Sequence, residues 1–148
     1  MLITYLDTSA LIKRYIDEQG SQILRDWWRS IDIFGTSQIT YAEMASALSK
    51  ASRIGWITKE EAILSWQIFL EDWQSLAVVE IKSVLVELAG QLAWSDGLRG
   101  YDAIHLAALL EWQNALGLEI TLATFDQQLK KAAQNHQINT FPNISFTS

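Results

Sequence analysis

The chain has 148 residues, 49% of them hydrophobic and 19% charged, which is enough apolar material for a real core and too little charge for a disordered chain. It contains no cysteine, which excludes a disulfide framework and thiolate metal ligation. A formal net charge of −6 argues against a protein that coats nucleic acid through clustered Lys and Arg, yet suits an enzyme that meets phosphates through bound divalent cations.

Taken in order, Leu2–Leu6 reads as a strand buried on both sides, and Asp7-Thr8-Ser9 supplies three side chains able to cap the helix-like segment that follows, which Gly20 closes. Ser21–Ser30 places Ile23, Leu24, Trp27 and Trp28 at helical spacing. Ile33–Ile39 is a second strand, and Thr40-Tyr41-Ala42-Glu43 begins a helix that runs to about Arg53 before Gly55. Thr58-x-x-Glu61 begins another, with Trp66, Phe69 and Trp73 along one stripe. Leu76–Ile81 is a third strand, Ser83 leads a helix that stops near Asp96-Gly97, and after the turn Leu98–Gly100 Asp102 opens a strongly apolar helix that Gly117 ends. Glu119–Thr124 is a strand, Asp126 follows it, Gln127–Asn135 is a short helix, and a last strand falls within Ile138–Phe146, weakened by Pro142.

Strands alternating with helices imply an α/β protein with a mostly parallel sheet covered on both faces, and no repeat or linker divides residues 1–148 into more than one domain. The N-terminal stretch has no basic leader, and Asp7, Lys13 and Arg14 interrupt its apolar run well short of a membrane span. The expectation is an unexported, cytoplasmic protein with no membrane contact. Seven tryptophans are more than so small a core usually needs, which suggests that some meet partners, although the core is the commoner place for any one of them.

Four acids share one local setting. Asp7, Glu43, Asp102 and Asp126 each lie in or just before the first turn of a helix, and Asp7 and Asp126 directly follow strands. Right-handed crossovers bring those strand ends to one sheet edge, where ligands of open α/β sheets bind. Carboxylates gathered there repel one another unless a cation sits between them, and Mg²⁺ or Mn²⁺ are hard ions that prefer such oxygens. One or two such ions orient a water, lower its pKa and neutralise a phosphodiester in the transition state. The plain alternative is capping: Thr40-x-x-Glu43 has the form of a capping box, and Asp7, Asp102 and Asp126 suit the positive ends of their helices. Spacing and composition do not choose between the two.

The segments Tyr5–Lys13 (YLDTSALIK), Ser37–Glu43 (SQITYAE), Leu98–Ala107 (LRGYDAIHLA) and Leu122–Asp126 (LATFD), in that order, resemble the signature blocks of the PIN-domain family, nearest to the VapC-type toxins of bacterial toxin–antitoxin pairs. The resemblance spans nearly the whole chain. It implies a PIN-like α/β/α sandwich and divalent-metal-dependent endoribonuclease activity on tRNA or another structured RNA. It further implies Mg²⁺ or Mn²⁺ held by Asp7, Glu43, Asp102 and Asp126, with Thr8 or Ser9 and Thr124 supporting the site by hydrogen bonds. It also implies a homodimer and a cognate antitoxin protein lying along the groove near the acids. Arg99 either contacts an RNA phosphate, pairs with a site acid or is solvated, and His105 reads as a histidine packed beside the sheet. Lys13, Arg14, Lys50 and Arg53, from two helices that start at site acids, form either a modest basic rim or an ordinary solvated face. Two other functions compete: an interaction module whose acids are only caps, and an aspartyl-nucleophile phosphatase, which needs a second Asp where Ser9 stands.

Overall fold

The computed structural model describes residues 1–143. Strands β1 (Ile3–Leu6), β2 (Ile33–Ser37), β3 (Ala77–Val79), β4 (Thr121–Ala123) and β5 (Thr140–Phe141) form one sheet in the order β3-β2-β1-β4-β5, with every neighbouring pair parallel. The helices are α1 (Thr8–Leu11), α2 (Ser21–Trp28), α3 (Ile39–Arg53), α4 (Lys59–Trp73), α5 (Ser83–Asp96), α6 (Gly100–Leu116) and α7 (Gln127–Asn135). The α/β sandwich expected from the alternation is therefore present, and its sheet is parallel throughout the described residues. Of the last expected strand, Ile138–Phe146, residues 144–146 lie outside the described part.

All four residues of β1 are buried, as a central parallel strand requires. Ile3 and Tyr5 pack in a core with α5, α6 and α7, whereas Leu6 packs in a second core with α1, α3 and α4, so the period-two pleat assigns the two layers. From β1 the chain runs outward through β2 and β3, then crosses to β4 and β5 on the other side. The direction of travel thus reverses beside β1, and the carboxyl ends of β1 and β4 flank that switch point.

Three local expectations are corrected. The segment after Asp7 is not one helix as far as Gly20: α1 is four residues long and tightens into a 3₁₀ turn, Ile12–Arg14. Lys13 Nζ there donates to Glu18 Oε1 and to the Gln19 carbonyl, drawing the chain away from a helical path. Lys13 and Arg14 are accordingly not part of a free basic rim, since Lys13 pairs with Glu18 and Arg14 with Asp72, while Lys50 and Arg53 stay exposed. The Thr40–Glu43 capping box does not form either: α3 starts at Ile39, no side chain caps it, and Thr40 is buried with its hydroxyl bonded to that of Thr36. The identical pattern at Thr58–Glu61 does close as a capping box on α4. Trp94 and Trp56 are 92% and 68% exposed, and the other five tryptophans are half-buried. Among the described residues no helix is long and apolar enough to cross a membrane.

Helix α6 lies against the sheet because β2 has no side chain at Gly35, where the Trp112 ring rests: a Cβ built there would meet Cζ3 and Cη2 in hard overlap and stand 2.9 Å from Cε3. Gly35→Ala is expected to destabilise the fold by about 2 kcal/mol through overpacking, or about 6 °C in melting midpoint. Calorimetry of Gly35→Ala with and without Trp112→Leu checks the cause, since the smaller side chain should restore most of the loss.

Candidate active site

The end of β1 delivers Asp7 as the N-cap of α1, where Oδ1 accepts from the Ala10 N–H at 3.0 Å and from the Ser9 hydroxyl at 2.7 Å. Oδ2 accepts from the Thr124 hydroxyl at 2.6 Å, which ties the end of β1 to the segment just after β4. Thr124 Oγ1 in turn accepts from the Asp126 N–H at 3.1 Å, and Asp126 caps α7 through the Leu129 N–H at 2.9 Å. Ser9 Oγ also accepts from the Phe125 N–H at 2.9 Å. Two hydroxyls thus clamp the two strand ends together. Asp7 is only 3% exposed, and its hydrogen bonds come from hydroxyls and a backbone amide. Burial raises its carboxyl above the usual carboxylate range, against the opposing pull of His105, Thr124 and Ser9.

Glu43 reaches the same edge from the second turn of α3. Its Oε1 accepts from the Thr8 hydroxyl at 2.6 Å and bonds His105 Nε2 at 2.7 Å, which leaves Oε2 without a hydrogen bond among the described residues. Burial would raise this carboxyl, but the His105 and Thr8 hydrogen bonds outweigh it and hold Glu43 below its ordinary value. His105, on α6, is buried, and its Nδ1 lies 2.8 Å from the Tyr5 hydroxyl. A carboxylate only accepts, so Nε2 carries the proton of that bond, and Nδ1 faces the Tyr5 hydroxyl. Burial keeps that phenol protonated. The expected packed histidine is therefore also a strut from the central strand to a site acid. Thr36 Oγ1, donating to the Leu6 carbonyl at 2.8 Å, fixes the start of α3 against the end of β1.

Asp102 lies in the first turn of α6 and is 9% exposed; burial, then the nearby charge of Asp126, raises its carboxyl. Arg99 bridges these two acids, with Nε 3.0 Å from Asp102 Oδ2 and Nη2 2.5 Å from Asp126 Oδ2. Of the readings open for Arg99, pairing with site acids is the one observed. Asp7, Ser9, Thr124, Asp126, Arg99 and Asp102 thus form one network at the switch point, and Thr8, Glu43, His105 and Tyr5 form a second that meets it where Thr8 follows Asp7. Sequence reasoning passed over Tyr5, Thr36 and the His105–Glu43 bond. The available signals were Tyr5 two residues before Asp7, on the same strand face, and His105 one turn after Asp102.

The donor set suits a hard divalent cation: four carboxylates, two of them raised by burial and therefore short of positive charge. Among the described residues no three His, Cys, Asp or Glu side chains stand together as ready ligands, and part of the positive charge on the acids comes from Arg99. Asp7 and Asp126 are helix caps as well, which is compatible with ligation, because an ionised carboxylate has about four acceptor positions.

A parallel α/β sandwich with acids gathered at its switch point defines a class of proteins that work at the carboxyl edge of the sheet. The PIN domain model matches residues 4–135, and the chain belongs to the PIN domain family. It is 33% identical over 137 residues to Ribonuclease VapC45 and to Ribonuclease VapC49, both of Mycobacterium tuberculosis, covering 90% of this chain and 90% of each relative. Among solved structures it resembles FitAcB from Neisseria gonorrhoeae, with a TM-score of 0.65, 16% identity and coverage of 94% of this chain and 96% of that one. It also resembles VapBC2 from Rickettsia felis bound to a DNA fragment from its promoter, with a TM-score of 0.63, 15% identity and coverage of 99% and 100%. These last likenesses are of fold.

Proposed function

We propose that the protein is a divalent-cation-dependent endoribonuclease, the toxin of a toxin–antitoxin pair, acting as a single PIN-like domain in the cytoplasm. The observation that carries the reading is Asp7, a buried carboxylate at the sheet's switch point, joined by Thr124 to Asp126 in a chain whose relatives bear the name ribonuclease. Asp7, Glu43, Asp102 and Asp126 would hold Mg²⁺ or Mn²⁺. When bound, the ion supplies Lewis acidity, neutralises charge on the phosphodiester and makes water a stronger acid.

The chain's own groups do the rest. Ser9, Thr124 and the Ala10 N–H hold Asp7 in one orientation, and Thr8 and His105 hold Glu43 by one oxygen so that Oε2 is free. Asp7 and Asp102, the two acids made more basic by burial, are the groups suited to take the proton of an attacking water as it lines up with the scissile P–O bond. No second acid stands two residues after Asp7, and the Ser9 found there donates to Asp7, so a phosphatase step through an aspartyl nucleophile has no general acid in that place.

A cognate antitoxin and a second copy of the chain are the partners this reading implies. The apolar side chains Val84, Val86, Trp94 and Tyr101, all exposed on α5 and α6, support the homodimer.

The test is incubation of purified, partner-free protein with total RNA and tRNA in Mg²⁺, Mn²⁺ or EDTA. Cutting in either ion and none in EDTA is the expected result. Cutting that survives EDTA would remove the cation from the mechanism. Folded protein that binds neither ion in calorimetry would leave an interaction module as the reading.

A further inference from the structure

Arg99 stands out among the charged side chains. It precedes α6 on extended backbone as the N-cap residue, and its side chain is 68% exposed, yet both arms of its guanidinium end on carboxylates the site needs. Nε donates to Asp102 Oδ2 and Nη2 to Asp126 Oδ2, so the guanidinium stands between these two oxygens. Asp126 Oδ1 already accepts from the Leu129 N–H, and Arg99 holds Oδ2. A guanidinium and a divalent ion drawn to that oxygen pair are two cations within a few ångströms of each other, so each weakens the hold of the other. Asp7 and Glu43, by contrast, are held by hydroxyls, an amide and an imidazole, with no arginine or lysine bonded to either.

We propose that Arg99 is an internal counter-ion of the acidic site: a divalent cation displaces it from Asp102 and Asp126, and the freed guanidinium then takes a phosphate oxygen of the RNA. This rests on the reading of the site as a cation-dependent ribonuclease. An exposed arginine on a flexible stem leaves an ion pair at little cost, because solvent screens the pair. Its planar fork matches phosphate as well as it matches carboxylate. The same side chain therefore neutralises the acids before the ion arrives and stays close to the scissile bond afterwards.

The experiment is Mn²⁺ titration calorimetry on the full chain as wild type, Arg99→Gln, Arg99→Lys and Asp7→Asn, followed by RNA cleavage at saturating Mn²⁺. Arg99→Gln is expected to bind Mn²⁺ about tenfold more tightly, the scale of two partly exposed ion pairs. Arg99→Lys keeps the charge without the planar fork, so its Mn²⁺ affinity should fall between those of wild type and Arg99→Gln. Arg99→Gln binding no more tightly than wild type, or Arg99→Lys binding more tightly than Arg99→Gln, would overturn the displacement. In cleavage, Arg99→Gln should raise KM for RNA severalfold, and an unchanged KM would overturn the phosphate contact. If wild type and Asp7→Asn bound no Mn²⁺ at all, the cation-dependent reading would fail and this proposal with it. Loss of binding in Asp7→Asn alone keeps the two separable. Melting curves establish that each variant is folded, as the exposure of Arg99 leads one to expect.

Discussion

Asp7→Asn abolishes RNA cleavage and makes the protein more stable. The loss of activity should be roughly 10²–10⁴-fold, the range of removing a group that moves a proton or anchors a catalytic ion. Stability moves the other way because Asp7 is a buried carboxylate whose proton affinity is raised in the fold. The native state then holds that proton more tightly than the unfolded chain, so stability falls as pH rises from the ordinary carboxylate value through the raised native one. At neutral pH the charged form carries the full penalty. An amide keeps an oxygen for the Ala10 N–H and the Ser9 hydroxyl without the charge, and Thr124 can rotate to accept from its NH₂. We expect a melting midpoint about 3 °C higher, the shift that ~1 kcal/mol produces in a chain of this size. The gain should shrink as the pH is lowered through the raised value, where the wild-type carboxyl is neutral too. Scanning calorimetry from pH 4 to 8 beside the cleavage assay reads both effects. An inactive variant less stable than wild type at every pH would mean that Asp7 serves the fold chiefly as a cap.

His105→Ala should cost the fold about 3 kcal/mol, from the cavity left on α6 and the stranded Tyr5 hydroxyl. It should also weaken Mn²⁺ binding, because Glu43 loses the imidazole that holds Oε1 and retains only Thr8. The two consequences separate in the double variant Tyr5→Phe/His105→Leu. Replacing both partners of a buried hydrogen bond by apolar groups of similar shape is nearly neutral. Most of the stability should therefore return, while Glu43 remains unheld and the Mn²⁺ affinity stays low. Recovery of both together would show that His105 acts on the site only through the stability of the core.

Much of this molecule is written in local pattern. The apolar run before Asp7, the helical spacing on either side of Phe69, and Gly117 after α6 are read residue by residue, because hydrophobic period and backbone conformation are properties of neighbours in sequence. The four acids were legible for the same reason, each standing just before a helix or within its first two turns. What they touch was not. Thr40-x-x-Glu43 and Thr58-x-x-Glu61 are the same motif, yet one closes as a capping box and the other surrenders its glutamate to Thr8 and His105. Thr58 is near the surface, where only the helix's own amides compete for the side chains, whereas Thr40 is buried beside Thr36 and takes that hydroxyl instead.

The sequence by itself thus determined the alternation of strands and helices, the parallel sheet and the identity of the acids. Only the tertiary structure decided that Thr124 joins Asp7 to Asp126, that Tyr5 reaches Glu43 through His105, and that Arg99 spans Asp102 and Asp126. The physical reason is range. Capping and periodicity act over three or four residues, whereas a buried hydrogen bond is set by which distant groups the packing leaves without water, and Thr124 meets Asp7 across 117 positions of chain.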